Sequence, residues 1–153
     1  MDISIQLPLD GDGFLRRQCA HCNGVFKWHH GPANAQAEEA PSPAAYFCPL
    51  CGEPAEVDRW YTDEQVAYIE SVAMPAVMRQ TDALLRDAFS GLSSAHIKVT
   101  TSGSLDVPAE PDALVEPEDD MAIVVSPCHA YEPVKVLGTG PLHCLVCGES
   151  FAV

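Results

Sequence analysis

Positive charge is scarce in this chain. Eight Lys and Arg face 22 Asp and Glu among 153 residues, a formal net charge of −14. Nucleic acids are held by cations that displace phosphate counterions, so nonspecific binding through the whole surface is not expected. Anionic lipid is disfavoured for the same reason. Long apolar runs are also missing, and nothing approaches the roughly 18 residues that a membrane helix needs. Between Met1 and Phe14 there are Asp2, Asp10 and Asp12 but no basic residue. A secretory leader needs a positive start and an apolar run, so a cytoplasmic location is expected. Catalytic signatures are absent too. The sequence has no Gly-rich phosphate loop, nucleophile elbow or His-Glu-x-x-His helix, and no enzyme is expected.

Cysteine, by contrast, is plentiful, with seven residues. In a reducing compartment such a number speaks for metal binding or redox chemistry before structural disulfides. Hydrophobic residues make up 47% of the chain, enough to fold. The length suits one modest domain or two very small ones, and very small ones want a metal or disulfide staple. Composition divides the chain into residues 1–60, 61–94 and 95–153.

The middle segment reads as one helix. Thr62 is a suitable N-cap and Gln65 completes a capping box, with Tyr61 and Val66 placed as a hydrophobic staple. Val66, Ile69, Ala73, Val77 and Leu84 recur at three- and four-residue steps, which predicts an apolar face packed on the rest of the protein. Pro75 predicts a kink near Ser71, and Gly91 a stop.

Cys19-Ala-His-Cys22 and Cys48-Pro-Leu-Cys51 carry the clearest chemistry. Two intervening residues let one tight turn aim both thiolates at a single ion, and two such turns supply the four sulfurs of a tetrahedral Zn²⁺ site. Gly52 follows Cys51, and Asn23-Gly24 follows Cys22. Both Gly and Asn tolerate the positive φ that turns backbone N–H groups toward sulfur. Phe14–Gln18 and Val25–His29 flank the first pair like hairpin strands. On these residues, roughly 14 to 60, the sequence resembles the zinc-ribbon proteins. The resemblance implies a closed structural zinc site with no open position for water, and it leaves function open, because ribbons serve nucleic-acid binding, protein docking and structural support alike.

A second copy lies at the C-terminus. Phe47–Val57 aligns without gaps on His143–Val153, with cysteines, glycine, glutamate and final valine coinciding. Its partner turn is degenerate. If Val134-Lys135-Val136 plays the part of Phe26-Lys27-Trp28, Cys128 falls between the two expected ligand positions. A second zinc is then possible on Cys128, Cys144 and Cys147, with His143 or His129 as fourth ligand. Adjacent ligands such as Cys128 and His129 are sterically awkward, so His143 competes with His129 for the fourth place. The alternative is a site that has lost its metal. The pattern as a whole resembles uncharacterised bacterial proteins with two ribbons joined by a helix.

Arg16, Arg17, Lys27 and Trp28 form a local basic and aromatic patch. It suggests phosphate contacts and base stacking as an alternative reading, against a solvated hairpin face with Trp28 packed on the helix. Asp106 to Asp120 holds seven carboxylates and no cation. It reads as a solvated loop, the other readings being a docking tail for a basic partner or masking of the basic patch. Thiol redox chemistry of the Cys-x-x-Cys pairs is a further, less favoured reading. The expectation is therefore an α+β protein with an N-terminal zinc ribbon, one kinked amphipathic helix and a C-terminal degenerate ribbon-like β unit. It would bind one zinc, with room for a second, and dock another protein without catalysis.

Overall fold

The structure is a computed structural model and describes residues 3–92, 96–100, 102–109 and 111–153. It is α+β and divides into two compact units. One is Met1–Gln6 with Glu64–Ala113, and the other is Leu7–Asp63 with Leu114–Val153.

The first unit is built on a long helix, Asp63–Ser90. It begins directly after Thr62 and ends before Gly91, whose N–H still reaches the Asp87 carbonyl at 3.2 Å. The helix runs on through Pro75, which has no N–H to offer the Ser71 carbonyl. Part of its predicted apolar face is open. Val66, Val77 and Leu84 are exposed, Leu84 at 63%, and the buried residues of the helix are Gln65 and Pro75. The periodicity of an apolar stripe says which side chains share a face, and burial is a separate matter.

The second unit unites the two cysteine-bearing ends of the sequence in one sheet. Strand β1 (Phe14–Gln18) pairs antiparallel with β2 (Val25–His29). Strand β5 (Ala122–Val124) pairs in the same way with β6 (Val134–Val136). The two hairpins then join through β2 and β6, in the order β1-β2-β6-β5. Two shorter hairpins complete the unit, β3 (Tyr46–Phe47) with β4 (Pro54–Ala55) and β7 (Leu142–His143) with β8 (Ser150–Phe151). Between β2 and β3 lies a short helix, α1 (Ala35–Glu39), capped by Asn34, whose side-chain oxygen accepts the Ala37 N–H at 3.0 Å. The long helix is then α2.

The contacts between the two ribbons are reciprocal. Lys27 of β2 stands opposite Lys135 of β6, and the two hold equivalent places in their hairpins. The Phe47 N–H donates to the Leu145 carbonyl at 2.8 Å, and the His143 N–H donates to the Pro49 carbonyl at 2.9 Å. In the sequence repeat, Phe47 corresponds to His143 and Pro49 to Leu145. A side chain at Gly52 would strike the His143 ring, and one at Gly148 the Phe47 ring. Residue i meets j′ while j meets i′, the pattern of a two-fold-related pair of subunits.

The core follows from strand alternation. Phe26 and Trp28 project to one face of the sheet and pack in one cluster with Trp60, Val134, Val136, Leu142 and Leu145, while Leu15, opposite Trp28, is buried on the same face. Each fully buried side chain of that size contributes roughly 1.5–3 kcal/mol. The opposite face carries the two lysines, which are 0% and 1% exposed.

Candidate metal centres

In the first ribbon, Cys19 and Cys22 lie in the β1–β2 turn and Cys48 and Cys51 in the β3–β4 turn. All four sulfurs lie within 4.8 Å of one another. Cys19 Sγ is 3.7 Å from Cys51 Sγ, and Cys22 Sγ is 3.9 Å from Cys48 Sγ. A tetrahedron with metal–sulfur distances of ~2.3 Å has edges of about 3.8 Å, so the spacing fits one ion.

Both turns are shaped to hold charge on sulfur. The Asn23 N–H returns to the Cys19 carbonyl at 2.9 Å, with Asn23 at φ 57°. The Gly52 N–H returns to the Cys48 carbonyl at 2.8 Å, with Gly52 at φ 77°. The backbone N–H groups of His21, Gly24 and Leu50 point at Cys19, Cys22 and Cys48, each 3.4 Å from sulfur. Burial opposes the Cys19 thiolate, but N–H groups and neighbouring thiols outweigh it and draw its pKa down. Burial pushes the Cys48 and Cys51 thiols up. A cation among the sulfurs is what allows them to ionise together.

The second ribbon gathers Cys128, His129, Cys144 and Cys147, again within 4.8 Å of one another. Cys128 Sγ is 3.5 Å from Cys147 Sγ, and His129 Nδ1 is 3.4 Å from Cys144 Sγ. With nitrogen ~2.0 Å and sulfur ~2.3 Å from a metal, a tetrahedral N···S edge is about 3.5 Å. Of the two histidines offered by the sequence, His129 belongs to this set and His143 lies outside it. Its Nδ1 is 3.1 Å from the Gly148 carbonyl, and its ring packs where a side chain at Gly52 would lie. The steric objection to adjacent ligands is met by the chain path. Lacking the tight Cys-x-x-Cys turn, residues 128 and 129 converge on one point from an irregular loop.

Strand register explains the degeneracy. Arg17 opposes Phe26 and Val124 opposes Val134, so Arg17 and Val124 are equivalent and Cys19 corresponds to Ser126. The loop from Val125 to Pro133 is one residue longer than its counterpart from Gln18 to Val25. Ser126 is buried, with Oγ 3.3 Å from Cys144 Sγ, and it accepts the His129 N–H at 3.2 Å. A hydroxyl has thus replaced the first thiolate, and Cys128 supplies the missing sulfur. Burial opposes the Cys144 thiolate, but the Ser126 hydroxyl, backbone N–H groups and Cys128 draw its pKa down to about 6. Burial and the thiols of Cys144 and Cys147 push Cys128 up to about 11. Ser126 was not singled out from the sequence, and the register of Val124 against Val134 is the signal that identifies it.

The predicted basic patch is divided between the two faces of the sheet. On one side, Arg16 pairs with Glu116 at 3.0 Å. Lys27 pairs with Asp10 at 3.1 Å and with Glu116 and Asp119 at 3.0 Å each. On the other, Arg17 and Trp28 are buried. The Trp28 ring lies 4.2 Å from Tyr46, and its Nε1–H donates to Glu132 at 3.1 Å. The end of the acidic stretch is therefore not a solvated loop, since Glu116 and Asp119 cover the buried lysines. Asp10, Asp12 and Asp119 also lie close enough together to suggest a metal site. Lys135 Nζ occupies their centre, 2.8 Å from Asp10 and 2.6 Å from Asp12 and also paired with Asp119.

The two cysteine clusters define a protein able to bind metal at two places, consistent with zinc-ribbon-like motifs. No helix among the described residues is long and apolar enough to cross a membrane. No family model, no curated protein and no solved structure matches the chain.

Proposed function

We propose that this protein is a noncatalytic zinc-binding adaptor that docks another protein. Zinc at Cys19, Cys22, Cys48 and Cys51, and a second zinc at Cys128, His129, Cys144 and Cys147, would lock the double ribbon. Four protein donors at each site leave no position for a reactive water. The observation that carries the docking reading is the exposure of apolar residues along α2. Val66, Met74, Val77, Leu84 and Phe89 are all exposed, and Val66, Val77 and Leu84 recur at helical spacing on one face, as apolar residues of an interaction site do. The nucleic-acid alternative is less well supported, because Arg16 and Lys27 are committed to carboxylates of the same chain. Thiol redox chemistry is disfavoured by the four-donor geometry of both sites.

Native mass spectrometry on protein purified gently from its own cells tests the proposal. The wild type should carry two zinc ions and a retained protein. A Val77→Glu/Leu84→Glu double variant should keep both zincs and lose the partner. Turnover of any substrate that depends on Cys19 or Cys48, or retained RNA or DNA that salt removes, would overturn it.

A further inference from the structure

A cavity of about 260 Å³ lies in the ribbon unit on the face of the sheet that carries Arg17 and Trp28. Its walls include Trp28, Tyr46, Tyr61 and Tyr131, with Arg17 and Glu132 as charged groups. Arg17 is 5% exposed. Its guanidinium carbon lies 5.0 Å from the Trp28 ring centre and 5.9 Å from that of Tyr61. Its guanidinium donates from Nη2 to the His29 carbonyl at 3.3 Å. Its Nε is buried without a hydrogen-bond partner. No carboxylate pairs with Arg17 among the described residues, although Arg16, Lys27 and Lys135 all have one.

A buried cation without a counter-ion is costly, and aromatic faces offset only part of the cost. The guanidinium fork matches two carboxylate oxygens, and the rings beside it restrict its plane. The cavity lies at the small end of ligand pockets, with room for about one ring. Glu132 is half-buried, and it accepts the Trp28 Nε1–H at 3.1 Å. Its carboxylate disfavours a second anionic group on the occupant.

We infer that this cavity binds a single carboxylate carried on a flat apolar group, with Arg17 holding the oxygens and Trp28, Tyr46 and Tyr61 enclosing the apolar body. The source is either a free aromatic acid or the C-terminal residue of a peptide. The inference is independent of the docking role of α2.

The test is a ¹H–¹⁵N titration of the full zinc-loaded chain that follows the Trp28 indole and Arg17 Nε–H signals. The probes are benzoate, benzamide, N-acetylphenylalanine and its amide. Both acids should shift both signals saturably, and the neutral amides should bind at least about tenfold more weakly. Tighter binding of N-acetylphenylalanine than of benzoate identifies a peptide terminus, and the reverse order a free acid. Arg17→Met should abolish acid binding. If that variant loses its zinc, Ser42→Trp, at an exposed position on the cavity wall, should block binding by volume alone. Equal binding of acids and amides, no saturable shift with either acid, or wild-type affinity in Ser42→Trp would each overturn the assignment.

Discussion

Lys27 and Lys135 face each other across β2 and β6, both buried, and are bridged by the same two carboxylates. Asp10 Oδ2 receives both ammonium groups, at 3.1 and 2.8 Å. Asp119 receives Lys27 through Oδ1 and Lys135 through Oδ2. Like charges would repel at this distance without the acids between them. The N-terminal and C-terminal halves of the ribbon unit thus depend on each other through charge as well as backbone pairing.

Removing one cation should expose that dependence. Lys135→Met leaves Asp10, Asp12 and Asp119 converging without their shared partner. Breaking a buried pair costs about 3–5 kcal/mol. The exposure of Asp12 (59%) and Asp119 (32%) to water places the loss at the lower end, roughly 3 kcal/mol. Urea unfolding of zinc-loaded protein measures it, and an unchanged midpoint would show that the cluster contributes nothing.

Acid should weaken the same cluster. Burial favours the neutral form of Asp10, but Lys135, the Phe14 N–H, Lys27 and the Asp12 N–H outweigh it and hold the carboxyl well below the usual carboxylate range. Lys135 and Lys27 likewise draw Asp119 down. A depressed folded-state pKa contributes stability that is complete above the unfolded value, near 3.9 for Asp, and is lost as pH falls toward the folded value. Stability should therefore drop progressively below about pH 4–5. Asp10→Asn should flatten that acid limb relative to wild type, as read by denaturant midpoints across pH. A parallel pair of curves would count against the assignment.

Metal content should separate the two histidines offered for the second site. His129→Ala should reduce zinc from two ions per chain to one, because it removes a donor 3.4 Å from Cys144 Sγ. His143→Ala should retain two. Elemental analysis after gel filtration decides between them, and the opposite result would relocate the fourth ligand.

The glycines at the ribbon junction should tolerate no side chain. Gly148 has φ +76°, and a Cβ there would lie 2.6 Å from the Phe47 ring. Gly52 has φ +77°, and its Cβ would lie 2.8 Å from the His143 ring. Either alanine substitution pays about 1–2 kcal/mol for left-handed backbone, and the ring contact adds to this. Gly138→Ala provides the control, with φ +81° and nothing within 4 Å. Thermal melts should show Gly148→Ala falling clearly below Gly138→Ala.

Local signals were legible before any fold was known. The Cys-x-x-Cys spacing, the Asn23 and Gly52 turns, the β1 and β2 strands, and the start of α2 after Thr62 all rest on contacts within a few residues. The readings that differ from the structure depend on distance along the chain. Alternation marks Lys27 as one side chain of a strand, but only pairing of β2 with β6 shows that it is buried beside Lys135. Glu116 and Asp119 read as part of a solvated loop because their partners are far away in sequence. Ser126 carries no signature at all until Val124 is placed opposite Val134. The apolar stripe of α2 was legible as a stripe, and its exposure was not.

Both cut points around Glu64–Ala113 belong to the ribbon unit, which resumes at Leu114. For that unit the whole excursion is a connector. Lengthening such a connector costs little, because closure entropy grows only with the logarithm of loop length. Severing it would leave Leu7–Asp63 and Leu114–Val153 still joined through β2–β6 pairing and the shared carboxylates. The ribbons then amount to a heterodimer written on one chain, and a nicked or co-expressed pair of fragments should reassemble as complementary halves.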